Sequence, residues 1–286
     1  MKAEPIAAKT RPTAAEIRQA RAQNPKMRER DLAGILGITE AELVASFVGH
    51  GVRRIAPDFD LLFNGLKQVG TVMALTRNES AVHEKIGPFE KFVNGKRAAL
   101  MLGEQIDTRM FPANWVHGYA VEKADGNDVR RSLQFFDAHG DAVQKIHARP
   151  ETDKPAWDRL VETLLLDDQT PEILPEVTEA VPFERKTAAD GVAPVLRERW
   201  QALQDVHDFR AMLIDLGVGR LQAFRLVGED LAYRVGLGSF RQALEQAAAE
   251  ELPIMVFVGS PGVVQIHSGP VKKLKQVGPW FNVLDP

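Results

Sequence analysis

The sequence has 286 residues, 44% hydrophobic and 26% charged, a composition typical of a soluble globular protein with one large domain or two ordinary ones. Its formal net charge of −3 argues against a general attraction to nucleic acid or to an anionic membrane, and the absence of cysteine excludes disulfides, thiolate metal sites and iron–sulfur clusters. No stretch reaches the roughly 18 apolar residues of a membrane span, and the N-terminal region lacks the apolar core of a signal peptide. We therefore expect a cytoplasmic protein without membrane insertion.

The first half of the chain predicts helices followed by antiparallel strands. The segment "LGITEAELVASFVG" from Leu36 predicts helix, and "VMALTRNESAVHEKIGPFEK" from Val72 predicts a pair of strands. Apolar and polar residues then alternate through "QIDTRMF", "NWVHGYAVEK" and "RRSLQFFDAHGDAVQKIHA", with a turn signal at Asp125-Gly126. The helix "KPAWDRLVETLLL" closes this part. Antiparallel meanders packed against helices indicate the α+β class.

The second half repeats the order of the first. The segment "IMVFVGSPGVVQIHSGPVKK" from Ile254 matches the strand pair from Val72 at a shift of 254 − 72 = 182 positions. The segment "LGVGRLQAFRLVG" from Leu216 resembles the helical segment from Leu36. Because two features recur in the same order, we predict two tandem structural repeats, each a large antiparallel sheet with packed helices.

These repeats set the predicted domain boundaries. Residues 1–166 form the first repeat, and the proline-rich, acidic stretch 167–194 has no sustained period and predicts a linker. Residues 195–286 form the second repeat. It has no counterpart to the residues after Glu104 in the first copy, so we expect it to be truncated at the C-terminus, with an unpaired sheet edge.

Common catalytic motifs are absent from the sequence, which directs attention to the histidines. Neither a phosphate-binding loop, nor H-E-x-x-H, nor G-x-S-x-G occurs. A structural role is the simplest explanation for His50, His117, His139, His147 and His267. His83, which stands beside Glu84 at the end of a strand, leaves a second ligand site open.

His207, in "WQALQDVHDF", is the strongest candidate for a binding role. It falls at helical spacing in a stripe of apolar residues on a helix that begins after Pro194, and we expect Asp205 and Asp208 to point away from that stripe. The other members of the stripe are Leu196, Trp200, Leu203 and Ile214. One interpretation is a core histidine hydrogen-bonded to a carbonyl group. The other is a neutral imidazole presented to an apolar pocket, as a haem axial ligand requires.

Three further residues fit the second interpretation. Arg109 and Phe111, in "DTRMF", alternate along a strand and should share one face, where a guanidinium could meet an anionic or aromatic ligand. Arg220 starts a helix, from which it could meet a carboxylate. Taken alone, Arg109 and Arg220 are also explained as surface charges, and Phe111 as a surface aromatic residue. The simplest interpretation of Phe257, in "IMVFVG", is a core residue of a strand.

Six segments of the chain, in this order, resemble the cytoplasmic haemin-transport and haemin-degrading proteins of bacterial haem-uptake systems, the HemS/HmuS type. They are "RNESAVHEKIGPFEKFVNG", "DTRMF", "SLQFFDAHGDAVQKIHA", "WQALQDVHDF", "RLQAFRLVGEDLAYRV" and "IMVFVGSPGVVQIHSGPV". The resemblance covers the chain from about Asn24 to Pro286 and implies the same tandem-repeat fold.

The resemblance also implies haem (iron protoporphyrin IX) as the ligand. It places the axial ligand of the iron on His207, and a distal arginine with its neighbouring phenylalanine on Arg109 and Phe111. A propionate-side arginine falls on Arg220, and a pocket phenylalanine falls on Phe257. We therefore expect a haem-binding protein of iron acquisition, with a haem oxygenase or a haem-uptake transporter as partner.

Two questions stay open at this point. The family includes carriers of haem and proteins that degrade it oxidatively, and no catalytic residue distinguishes them in this sequence. The alternative from another class is a non-catalytic scaffold or interaction protein, in which His207 is a structural core residue.

Overall fold

A computed structural model describes residues 11–95, 98–126, 128–176 and 191–284 of the chain. They form two compact units, of which the first combines the described residues up to 176 with 251–284, and the second consists of 191–250. The helices of the first unit are α1 (Ala14–Gln23), α2 (Glu29–Leu36), α3 (Glu40–Ala45), α4 (Phe59–Val69) and α5 (Lys154–Leu164). Those of the second unit are α6 (Val192–Gln201), α7 (Asp208–Asp215), α8 (Arg220–Leu226) and α9 (Ser239–Ala249).

The described strands all belong to the first unit. They are β1 (Val52–Ile55), β2 (Val72–Arg77), β3 (Val82–Gly87), β4 (Phe92–Val93), β5 (Ala99–Leu102), β6 (Asp107–Met110), β7 (His117–Asp125), β8 (Asp128–Phe136), β9 (Ala142–Ala148), β10 (Ile254–Gly259), β11 (Val263–Gly269), β12 (Leu274–Val277) and β13 (Trp280–Val283). A six-stranded sheet has the order β1-β7-β8-β9-β2-β3, a five-stranded sheet has the order β10-β11-β6-β5-β4, and β12 and β13 form a hairpin. Every pairing within these sheets is antiparallel.

Helices α4 and α5 contribute to the core shared by both large sheets. Their apolar faces bury Phe63 and Trp157, which belong to one cluster with Phe135 of β8 and Met101 of β5. Gly65 lies against Leu160, and an added Cβ there would collide with that side chain. The close approach of the two helices explains why a residue of poor helix propensity stands inside α4.

A buried polar side chain joins the two large sheets. Gln265 of β11 is fully buried; its Oε1 accepts a hydrogen bond from Thr76 Oγ1 at 2.8 Å and its Nε2 donates to Ala74 O at 3.2 Å. Both partners lie on β2 of the other sheet. Because a buried amide needs such partners, these bonds favour one register between the sheets.

This architecture confirms the predicted α+β class with large antiparallel sheets and packed helices. Strands β10 and β11, from the predicted second repeat, continue the sheet that contains β6, β5 and β4 of the first. The repeat boundaries at 1–166, 167–194 and 195–286 stay a prediction, and part of the predicted linker, residues 177–190, lies outside the described residues.

A network of charged side chains is buried beside the six-stranded sheet. Lys145 Nζ of β9 donates to Glu40 Oε1 at 2.7 Å and to Glu29 Oε2 at 3.2 Å. Arg77 also pairs with Glu40, and Lys123 also pairs with Glu29. The side chains of Glu40 and Lys145 are only 7% and 10% exposed. This network therefore holds α2 and α3 to the strands through ion pairs that are largely buried.

Two half-buried histidines make the stability of the first unit depend on pH. Burial is the main cause that lowers the pKa of His83 and of His147 from 6.5 to about 4. In the unfolded chain both imidazoles bind a proton below about pH 6.5, whereas the folded protein binds these protons only near pH 4. Their contribution to stability is therefore complete above pH 6.5 and decreases as the pH falls towards 4.

We expect the urea midpoint of unfolding to fall as the pH is lowered from 7 to 4.5. Each histidine should remove up to about 1.4 kcal/mol of unfolding free energy per pH unit inside that window. In the double variant His83→Gln, His147→Gln, the urea midpoint should change less with pH. A midpoint of the unmodified protein that stays constant from pH 7 to 4.5 would contradict the prediction.

Candidate functional site

His207 lies at the N-terminus of a short helix, not inside a long one. The predicted continuous helix is wrong: α6 ends at Gln201 and α7 begins at Asp208, with His207 as its N-cap residue. The backbone N–H of His207 donates to Asp205 Oδ1 at 2.8 Å. Aspartate side chains that accept backbone N–H groups in this way compete with helical hydrogen bonds, which accounts for the interruption.

The imidazole of His207 is exposed and its Nδ1 is hydrogen-bonded. The side chain is 88% exposed, so the interpretation as a core histidine is wrong. Its Nδ1 lies 2.6 Å from Asp205 Oδ1, and the expectation that Asp205 points away is also wrong. Hydrogen bonds from the backbone and the ring of His207 lower the pKa of Asp205, which keeps this carboxylate ionised as an acceptor. In the neutral ring, a carboxylate acceptor at Nδ1 favours the tautomer that carries its proton on Nδ1 and its lone pair on Nε2.

Arg220 lies over aromatic rings in the same unit. It starts α8, as predicted, and its guanidinium carbon is 6.0 Å from the ring centroid of Phe209 and 5.8 Å from that of Phe224. The two rings are stacked at 6.1 Å, and Trp200 packs edge-on against Phe209 at 4.5 Å. The second unit thus presents a cation and an aromatic cluster beside the helix that His207 begins.

Arg109 and Phe111 share the open face of the five-stranded sheet, as their alternation predicts. Thr108 and Met110, on either side of Arg109 in the sequence, are fully buried on the opposite face. Phe111 is 39% exposed and continues the extended backbone of β6. The Arg109 guanidinium pairs with Asp107, two residues away on the same face, and Nη1 also donates to Thr108 O at 3.3 Å.

Phe257 belongs to the same open face. Its cross-strand partner on β11 is Ile266, which in turn pairs with Asp107 of β6, so Phe257 and Arg109 point to the same side of the sheet. Strands β10 and β6 are about 10 Å apart across one intervening strand. Phe257 is 57% exposed, and its simplest interpretation as a core residue is therefore wrong.

His83 is oriented by the polar link between the sheets. Its Nδ1 lies 3.3 Å from the carbonyl oxygen of Gln265, and its ring is half-buried. In the part of the chain that the structure describes, no group of three or more histidine, aspartate or glutamate side chains is placed to hold a metal ion. A ligand role for His83 stays a prediction.

The structure adds residues that sequence reasoning missed. Asp205 forms hydrogen bonds with both the backbone and the ring of His207, and Phe209 and Phe224 surround Arg220. The Asp-x-His spacing indicates a turn in which the aspartate side chain accepts a backbone hydrogen bond, but the helical periodicity of the flanking residues hides this signal.

Over the described ranges, no helix has the length and apolar character needed to cross a bilayer.

Comparison with known proteins places these features in a family. A family described as the haemin-degrading HemS.ChuX domain matches residues 37–164 and 217–286, two separate segments that agree with the predicted duplication. The hemin transport protein HemS of Yersinia enterocolitica is 38% identical over 268 residues, which are 93% of this chain and 76% of that protein.

Solved structures of similar sequence have the same fold as this chain. The crystal structure of holo-PhuS, a heme-binding protein from Pseudomonas aeruginosa, is 40% identical with a TM-score of 0.91, over 96% of this chain and 81% of that one. The structure of ChuS, an E. coli heme oxygenase, is 35% identical with a TM-score of 0.81, over 93% of this chain and 79% of that one. The chain therefore belongs to the haemin-degrading HemS.ChuX family.

Proposed function

We propose that this chain is a cytoplasmic haem-binding protein of bacterial haem uptake, which carries haem for iron acquisition, degrades it oxidatively, or does both. Family membership supports the proposal, since similar proteins are named for hemin transport, heme binding and heme oxygenase activity. The single observation of this chain that carries it is the exposed His207, whose Nδ1 is hydrogen-bonded to the Asp205 carboxylate and whose Nε2 has no hydrogen-bond partner among the described residues.

His207 is the proposed axial ligand of the haem iron. Imidazole is one of the donors by which proteins hold haem iron, and a neutral ring protonated at Nδ1 would supply it through Nε2. No side chain among the described residues forms a hydrogen bond to this nitrogen. His207 is therefore free to bind without losing a contact of the folded protein.

The remaining proposed residues suit the other parts of the ligand. Phe111 and Phe257 offer exposed aromatic surface to an apolar macrocycle, and Arg109 offers a guanidinium beside them. Arg220, held over two phenylalanine rings, suits a propionate carboxylate. When bound, haem itself supplies any oxygen chemistry, and the protein binds, orients and shields it.

The test of this proposal is a titration of haemin into the apo protein, followed by the Soret band. We expect saturation at a defined stoichiometry with a Soret maximum distinct from that of free haemin. Linear, unsaturable absorbance identical to that of haemin in buffer would overturn the proposal and favour a non-catalytic interaction protein.

A second measurement decides between carriage and degradation. An electron donor and O₂ are added to the haem complex, and decay of the Soret band with formation of a bile pigment indicates degradation. A persistent Soret band, together with transfer of haem to a haem oxygenase, indicates a carrier. An uptake transporter that supplies the haem and an oxygenase that consumes it are the partner proteins we propose, to be checked by haem transfer between the purified proteins.

A further inference from the structure

Asp205 is the residue most closely associated with His207. One oxygen of its carboxylate, Oδ1, accepts two hydrogen bonds from the same residue: from the His207 backbone N–H at 2.8 Å and from ring Nδ1 at 2.6 Å. The ring, the backbone and the carboxylate thus form one small closed unit. The turn that contains it is supported by the Asp208 N–H, which donates to Asp205 O at 3.1 Å.

This geometry restricts the imidazole in two ways. The hydrogen bond joins the carboxylate to Nδ1, so in the neutral ring it favours the proton on Nδ1 and the lone pair on Nε2. The hydrogen bond also limits rotation of a side chain that has few other neighbours, since it is 88% exposed. An exposed ligand without such a bond would sample several ring orientations and both tautomers.

We infer that Asp205 is a positioning residue for the haem ligand, which fixes the tautomer and the orientation of His207 and adds electron density to its ring. This inference rests on the proposed function, since it concerns the same histidine. Carboxylates that accept a hydrogen bond from a metal-binding histidine typically raise the basicity of that histidine and its affinity for the metal. The carboxylate should also favour the ferric over the ferrous state of the bound haem, because it strengthens electron donation from the ring.

Two substitutions of Asp205 separate its effect on the orientation of the His207 ring from the effect of its negative charge. Asp205→Ala removes both the hydrogen-bond acceptor and the charge, and we expect a roughly 10- to 100-fold loss of haemin affinity. Asp205→Asn keeps an oxygen acceptor but removes the negative charge, so we expect a smaller loss of affinity with a clear shift of the reduction potential to more positive values. Circular dichroism of each variant verifies that the helices remain folded.

Asp208→Asn is the matched control. It removes the same charge at the residue that follows His207, and no hydrogen bond joins the Asp208 carboxylate to the imidazole among the described residues. We expect its haemin affinity to stay within about twofold of that of the unmodified protein. Its reduction potential should stay close to the unmodified value. Equal effects of Asp205→Asn and Asp208→Asn would show a general electrostatic effect and overturn the inference.

A double-mutant cycle identifies the path of the effect. If Asp205 acts through the ring of His207, then Asp205→Ala should cause no further loss of haemin affinity in a His207→Ala background. The same 10- to 100-fold loss in that background would overturn the inference while leaving His207 as a ligand. Wild-type affinity and Soret spectrum in His207→Ala alone would overturn both the ligand assignment and this inference, which distinguishes the two failures.

Discussion

The His207→Ala variant is expected to bind haemin on the order of 100-fold more weakly than the unmodified protein, a loss of about 2.7 kcal/mol in binding free energy. The proposed iron ligand is removed, and no neighbouring side chain of α7 is a histidine that could replace it. The Soret maximum of any remaining complex should shift towards that of haemin without a nitrogen ligand. Titration of haemin into both proteins, followed by absorbance, measures affinity and ligation together.

The folding of this variant should be almost unchanged. Because the His207 side chain is 88% exposed, its removal should alter the free energy of unfolding by no more than about 0.5 kcal/mol. His50→Ala is a suitable control, since His50 is also exposed but lies in a turn of the first unit. If His50→Ala weakens haemin binding as much as His207→Ala does, the assignment of the ligand is wrong.

Local patterns in the sequence predict much of the first unit. The alternation around Val72 and through "SLQFF" corresponds to β2 and β8, and the turn signal at Asp125-Gly126 lies at the end of β7. Such patterns suffice for β2 and β8 because these strands pair with β3 and β7, which are close to them in sequence. The pairing of β11 with β6 joins strands that are far apart in the chain, and no local pattern specifies the partner of such a strand.

The candidate site shows the same division between local and non-local information. Alternation placed Arg109 and Phe111 on one face, and a helix start was expected at Arg220. The helical stripe around His207 wrongly predicted a continuous helix with a buried imidazole. Periodicity of apolar residues carries no information about a side chain, such as that of Asp205, that accepts a hydrogen bond from the backbone. The interruption at Asp205 exposes an imidazole that the stripe would have buried.

The buried charges of the first unit were not predicted, since they are far apart in the sequence and become neighbours only after folding. Glu29 and Glu40 come from helices, whereas Arg77 and Lys145 come from β2 and β9. Each of these charges, considered singly, resembles a solvated surface residue. Together they form hydrogen bonds that compensate for much of the cost of removing them from water.

We expect the Glu40→Gln variant to lose about 3 kcal/mol of unfolding free energy, because Lys145 and Arg77 lose the carboxylate that both contact, although Lys145 keeps Glu29. Urea denaturation of the first unit measures this loss. Glu162→Gln is the matched control: its partner Arg53 lies 2.5 Å away, but the two side chains are 61% and 39% exposed, so the change should be at most about 1 kcal/mol.

A second substitution distinguishes the loss of a charge partner from a simple loss of packing. Lys145→Met replaces the ammonium by an apolar side chain of similar length, so Glu40→Gln should cost less in that background than in the unmodified protein. We expect this coupling to amount to about 1–3 kcal/mol. Strict additivity of the two substitutions, or a loss in Glu40→Gln no larger than in Glu162→Gln, would show that the buried ion pairs do not hold α3 to the sheet.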